Sequence, residues 1–432
     1  MVIRFSKESR RFFNYFFIVV TIMRIVYEQI YVHQIATAYR YEGFLNDYNL
    51  LRSIISWLLM YSLLPFIVTA YKKASFSGTV LLVLYFIHFV PGTILYAHTD
   101  LKYIWLWYVY FIIIYGLSSL AKKTGNQATH KYMNKRSIYL LAGLLSLIVV
   151  FVWVYYAHGR MNLGFSDVYS IRLETRSYAM PAIIRYVFAS MKVILPIFVV
   201  WSLNCKNYIM TAIFSGIQLL IFFTDGTKST VLSLLISIGG YFLLKNDSRK
   251  ISFIPYGIVC IGVLSELEYF INHTFFITGY FIRRIMFVPH QLNISYFDFF
   301  TSHEPDFFRG SILRLLGFQS PYGNIAMKIG EYISESTNLS ANNGLFSDAI
   351  GNLGIVGVFI MPIAIVFMLL LIDKFSSDLT IGTIIGAIIA FTPALISSSF
   401  FTLILTHGVF AMLIIFYFIP REGEMNIPNS KV

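Results

Sequence analysis

The chain of 432 residues is 57% hydrophobic and only 12% charged, with a net charge of +12. A soluble globular protein carries about 25% charged residues, so this chain cannot clothe a water-facing surface, and soluble enzymes, nucleic-acid binders and secreted disulfide scaffolds are excluded. Two cysteines, Cys205 and Cys260, both in apolar stretches, supply neither a disulfide framework nor a zinc-type cluster. The expected fold is all-α: one polytopic integral membrane domain over 1–432, whose excess cations report topology.

Crossing about 30 Å of hydrocarbon takes roughly 20 mostly apolar residues. Twelve segments qualify: 12–32, 52–71, 78–96, 101–120, 137–157, 185–203, 207–224, 228–245, 251–272, 352–372, 379–397 and 400–420. The first follows Arg10 and Arg11 and has no small-residue cleavage site after it, so it reads as a retained signal-anchor. Only Ser397–Ser399 separate the last two, which leaves a broken pair of half-helices as an alternative. Lys and Arg concentrate in cytoplasmic loops. Counted from a cytoplasmic N-terminus, every short loop of that parity carries a cation, most densely at Lys122, Lys123, Lys131, Lys135 and Arg136. Both termini are therefore expected in the cytoplasm.

Two loops of the opposite parity are basic as well. The loop at 158–184 carries Arg160, Arg172 and Arg176, and the long loop at 273–351 carries Arg283, Arg284, Arg309, Arg314 and Lys328. An anionic substrate on that face would explain them; so would the insensitivity of long loops to the charge rule. Within the spans, Arg24 and Glu28 lie four apart and should pair. Lys192 either snorkels to the interface or serves a site. Asp225 and Lys228 bracket the turn between the seventh and eighth spans, and Glu266 and Glu268 close the ninth. His88, three residues before Pro91 in a helix expected to kink, reads as a packed, hydrogen-bonded histidine. Charges gathered in the outer half favour a site opening outward over a path through the bilayer.

The first loop reads GFSDVYSIRLETRSYAMP, with Arg172 and Arg176 four apart. On a helix both guanidiniums would share a face, and their rigid donor forks match phosphate oxygens. An ordinary ion pair of Arg172 with Glu174 is the alternative. In TDGTKST, Lys228 opens a helix and makes an anion cradle plausible, although the spacing of a nucleotide-binding loop is missing. In FIRRIMFVPHQLNISYFDFF, Phe281, Ile285, Val288 and Leu292 have helical spacing, and Pro289 is expected to split the run into two short interfacial pieces. In SANNGLFSDAIGNLGIVG, amides and Asp348 suit hydroxyl-rich ligands, with a loop-to-helix cap as the alternative for Asn352. The bases available are Glu174, His303, Glu304, Asp306 and Asp348, and spacing selects none of them.

The strings DVYSIRLE, GTKSTVLSLL, RRIMFVPHQLNISYFDFF and ANNGLFSDAIGNLGIVG, set in a plan of many spans with two arginine-bearing outer loops, resemble the Wzy-type O-antigen polymerases, the oligosaccharide repeat-unit polymerases, over roughly residues 150–370. The resemblance implies a GT-C-like membrane glycosyltransferase in the bacterial inner membrane, with its site on the periplasmic face. Such an enzyme transfers a growing glycan from polyprenyl pyrophosphate to the non-reducing end of an incoming lipid-linked unit. It implies Arg172, Arg176, Arg283, Arg284 and Lys228 on the pyrophosphate, and Tyr296, Asn342 and Asn343 on sugars. Glu174, His303 and Asp348 are the candidate catalytic residues, with no cofactor and no metal. The partners implied are the polyprenyl-pyrophosphate-linked oligosaccharide, membrane lipids, and a chain-length regulator and flippase of the same pathway, with no nucleic acid. Arg314 stands nine residues before Gly323, which departs from the family's arginine–glycine spacing, so it receives no role. Two alternatives stand: a lipid-linked oligosaccharide transporter, which would want short loops, and a glycan ligase, for which His290 and His303 are available.

Overall fold

The structure, a computed structural model, describes residues 7–121, 132–161, 171, 174–175, 177–334 and 339–421. Among these, every regular element is helical. Among the described residues, nine helices are long and apolar enough to cross a bilayer: α1 (Glu8–Ala38), α2 (Leu50–Lys73), α3 (Phe76–His98), α5 (Lys135–Tyr155), α6 (Ala182–Asn204), α7 (Tyr208–Asp225), α9 (Ser248–Asn272), α12 (Leu345–Phe375) and α14 (Phe400–Phe418). Three more apolar helices, α4 (Ile104–Leu120), α8 (Lys228–Leu244) and α13 (Ile381–Ser397), have 17 residues each. At 1.5 Å per residue these reach about 25 Å, short of the hydrocarbon thickness. Each of the twelve expected segments coincides with one of these helices.

Local chemistry sets the helix ends. Asn49, Ser75, Asn134 and Asn207 each accept a backbone N–H three residues on, at the starts of α2, α3, α5 and α7, satisfying donors that the first helical turn leaves open. Gly226, at φ +66°, closes α7 in the left-handed conformation that glycine adopts without steric cost.

Three expectations change. The described residues of the region 273–351 are folded: a helical run α10 comprises a π-helical stretch, Thr278–Phe287, and an α-helix, Val288–Ser302, and is followed by α11 (Ile325–Ser334). Pro289 therefore does not split its segment. It stands in the first turn of the α-helical part, and the wide π turns ahead of it absorb the missing N–H. The helix expected to start at residue 352 begins at Leu345, so Asp348 is a helical residue, not a loop residue, and Asn352 lies within the helix instead of at its start. α12 is interrupted by a 3₁₀ turn at Gly354–Val356. In the final pair, α13 ends at Ser397 and α14 starts at Phe400, and a further break falls inside α14, between Leu405 and Val409 with Gly408 at φ +76°.

The chain divides into two compact units. Unit one is drawn from Met1–Lys123, Ile251–Leu370 and Leu395–Phe400, and unit two from Thr124–Lys250, Leu371–Ala394 and Phe401–Val432. In unit one α3 is central: all of Phe76–His98 is buried, as a helix apolar on every side requires. α1 packs on α9 and on α3, α2 lies along α3, and α10 lies against the start of α12. In unit two α6 is central, with α5, α7, α8 and the last part of α14 around it.

Candidate functional site

The polar residues of unit one gather where α10 meets α3, α4 and the start of α12. α3 widens into a π turn at Tyr85–Phe89, immediately before Pro91. His290, next to Pro289 on α10, donates its Nε2 hydrogen to the His88 carbonyl at 2.8 Å, and the two imidazoles stack with centroids 4.2 Å apart. Burial holds the His290 imidazole down at about 4, so it is neutral at physiological pH. His88 is packed as expected, but its ring is not hydrogen-bonded as expected. Neither of its ring nitrogens has a hydrogen-bond partner among the described residues, and the same holds for Trp107 Nε1 and Tyr110 Oη nearby on α4.

Beside α10, Asn343 Nδ2 shares its two hydrogens among the Pro289 carbonyl (2.7 Å), Asn293 Oδ1 (3.0 Å) and Ser347 Oγ (2.9 Å). Ser347 donates in turn to Asn293 Oδ1 at 2.7 Å. Tyr296 is buried and donates its hydroxyl to the Ala341 carbonyl at 3.0 Å. Asn342, its neighbour in sequence, is exposed. Asp348 is buried: Oδ1 accepts from Asn352 Nδ2 at 2.8 Å and Oδ2 from the Phe400 backbone N–H at 2.9 Å. The carboxylate thus caps the first turn of α14 from a distance. Gly344 fits this corner only as glycine, because a Cβ there would stand 2.4 Å from the Ser398 carbonyl.

Arg283 forms an ion pair with Glu42 and lies over the Tyr39 ring at 4.1 Å. Arg284 projects outward, exposed. His303 is exposed and stacks on Phe299 at 4.0 Å, with its Nδ1 2.9 Å from the Phe299 carbonyl. In α1, Arg24 is fully buried and pairs with Glu28 at 3.1 Å, as its spacing predicts; it also donates to Thr93 and Ser56, both at 2.9 Å. Glu28 in turn meets His98 Nε2 at 3.0 Å, and His98 reaches Asn46 at 2.7 Å.

Unit two holds the second group. Glu174 receives both terminal nitrogens of Arg160, at 2.7 and 2.8 Å, and the Tyr178 hydroxyl at 2.9 Å. The hydrogen bonds from Arg160 hold the Glu174 carboxyl below the usual carboxylate range. Thr175 donates to the Thr224 carbonyl at 3.1 Å, which ties Thr175 to the end of α7. At the turn between α7 and α8, Lys192 of α6 pairs with Asp225 and donates to Thr227 Oγ1 at 3.3 Å. Asp225 also accepts from the Thr227 N–H at 2.9 Å. Lys228 starts α8 and is half-buried. Arg172 and Arg176 lie outside the described residues.

Among the sequence-expected residues, the fold therefore buries Tyr296, Asn343 and Asp348, each with its own partners, where α10 meets the start of α12, and leaves Asn342, His303 and Arg284 open. Glu174 and Lys228 are placed in the other unit. Sequence reasoning missed Asn293, Ser347 and the Lys192–Asp225 pair. Lys192 and Asp225 were both visible as charges toward the same membrane face, and that shared depth was the signal for the pair. Compared with known protein-family models, with curated proteins and with solved structures, the chain matches none.

Proposed function

We infer that the chain is an inner-membrane glycosyltransferase of the O-antigen polymerase kind. It would move a growing glycan from its polyprenyl-pyrophosphate carrier to the non-reducing sugar of an incoming lipid-linked unit at the periplasmic face. On this reading α4, α8 and α13 cross as well, giving twelve spans with both termini cytoplasmic. The observation that carries the reading is the folded region 273–351: it presents α10, α11 and an ordered loop between two long apolar helices, where a transporter would be expected to have a short connection. The family-like strings support the same reading.

The chemistry asks for positioning of two lipid-linked sugars and stabilisation of a departing pyrophosphate, and fixed guanidiniums provide the second. Arg284 of unit one is exposed and suited to this role. Arg283, already paired with Glu42, serves to position its neighbour. Asp348 and Glu174 are both engaged by other groups, which leaves His303 as the open base, a role contributing about 10²–10⁴ in rate. The buried Asn343 and Tyr296 hold the wall of the site, and the exposed Asn342 faces the sugars.

The test is the gel profile of surface glycan from a strain lacking the gene, complemented with the native chain or with Arg284→Ala. The expected result is collapse of a ladder to a single repeat unit without the gene, its return with the native chain, and chain extension cut roughly 10²–10³-fold with Arg284→Ala. Loss of even the single unit, with lipid-linked precursor accumulating, would overturn polymerisation. Precursor held on the cytoplasmic side would favour the transporter reading, to which the interrupted helices α12 and α14 and the buried Arg24 lend support, and precursor on the outer side the ligase reading.

A further inference from the structure

The loop at 303–323 is built around one carboxylate. Asp306 is fully buried and accepts from Ser320 Oγ and, at 2.7 Å, from the Gly310 N–H. The loop's foot is pinned to the start of α12: the Asp306 and Phe307 N–H groups donate to the Gly351 and Asn352 carbonyls, each at 2.9 Å. The Phe308 N–H reaches Asn352 Oδ1 at 3.2 Å. Tyr322 closes the far side by donating to the Glu304 carbonyl at 2.6 Å. A side chain so placed exists to hold a shape.

What the shape presents is apolar. The tip is a single 3₁₀ turn, Ile312–Leu316, ended by Gly317 at φ +89°. On it Leu315 is 78% exposed, Leu316 73% and Phe318 53%, with Arg314 exposed beside them. An ordered turn cannot collapse to hide such side chains, and contiguous exposed apolar surface marks an interaction site. The position of the foot decides the occupant. Just beyond Asn352, the exposed residues Ile355, Val356, Phe359 and Ile360 begin the outward apolar side of α12, a helix long enough to cross a bilayer. The loop therefore rises from the place where that helix meets the membrane boundary. Leucine and phenylalanine with one arginine is the composition that seats at such a boundary, rings and aliphatic groups toward the acyl chains and guanidinium at lipid phosphates.

The geometry points to Arg314–Phe318 as a membrane-interface anchor, inserted at the headgroup–acyl boundary of the leaflet beside the start of α12. This inference is independent of the glycosyl-transfer reading.

The experiment places a nitroxide label at Leu315→Cys, Leu316→Cys or Phe318→Cys, each in a full chain carrying Cys205→Ser and Cys260→Ser. The protein is reconstituted in phosphatidylethanolamine/phosphatidylglycerol vesicles, and collisions with oxygen and with a water-soluble nickel chelate are compared. An oxygen-to-nickel accessibility ratio above one at all three positions is expected. A ratio below one would place the tip in water. Low collision with both reagents would mean that another protein or a second copy covers it. Either result overturns the proposal. As a second measurement without labelling, Phe318→Trp should add fluorescence that is quenched when the vesicles contain dibrominated lipids; added fluorescence indifferent to bromine also overturns it.

Discussion

At Arg24 the cost of burying a charge is offset by a partner for every guanidinium nitrogen. The guanidinium is shielded from solvent, pairs with Glu28, donates to Thr93 and Ser56, and lies 5.3 Å from the Trp57 ring. Removing only one partner leaves an uncompensated buried charge, which costs about 3–5 kcal/mol. Glu28→Ala should therefore lower the thermal unfolding midpoint sharply in mild detergent, while the double change Arg24→Met with Glu28→Gln recovers most of the loss. Equal destabilisation by the single and double variants would contradict this account. The pair itself was legible in the sequence from its i, i+4 spacing. The links from Glu28 to His98 and from His98 to Asn46 were not, because they join groups on different elements.

Among the helices, α3 and α10 share one device. In each, a π-helical stretch runs up to a Val-Pro step, Val90–Pro91 and Val288–Pro289. Proline withholds a backbone donor and crowds the preceding turn; a wider turn upstream relieves both without ending the helix. From sequence, Pro289 signalled a break and Pro91 a kink. Neither proline breaks its helix, and in α3 the His88 carbonyl of the widened turn finds a donor in His290. The crossing is close: a Cβ on Gly92 would stand 2.7 Å from both the His290 and Trp107 rings. Gly92→Ala should destabilise the protein by about 1–3 kcal/mol, read as a lower unfolding midpoint, whereas Gly143→Ala, with open space around its Cβ position, should change little.

For the molecule as a whole, topology is the measurement that follows from composition. If all twelve apolar helices cross, reporter fusions after residues 128 and 246 should report cytoplasm, and one after residue 101 the opposite face. A fusion at 128 on the same side as the one at 101 would remove α4 from the count. The all-helical membrane class and the twelve apolar segments were readable from the chain alone, since run length and hydrophobicity are local properties that burial in lipid or protein satisfies alike. Distinguishing nine full-length helices from three of 17 residues required the ends of each helix, which capping and packing fix. The long region 273–351 read as a loop because its apolar pattern is interrupted and its partners are remote: Asp306 holds Ser320, Asn343 holds Asn293, and Arg283 holds Glu42, 241 residues away. Sequence determined which residues are charged, which are apolar and where helices are affordable. Which charges meet, which carboxylates are already engaged and which arginine is left open were decided only by tertiary structure, because those are pairings between side chains whose separation along the chain carries no information about their distance in space.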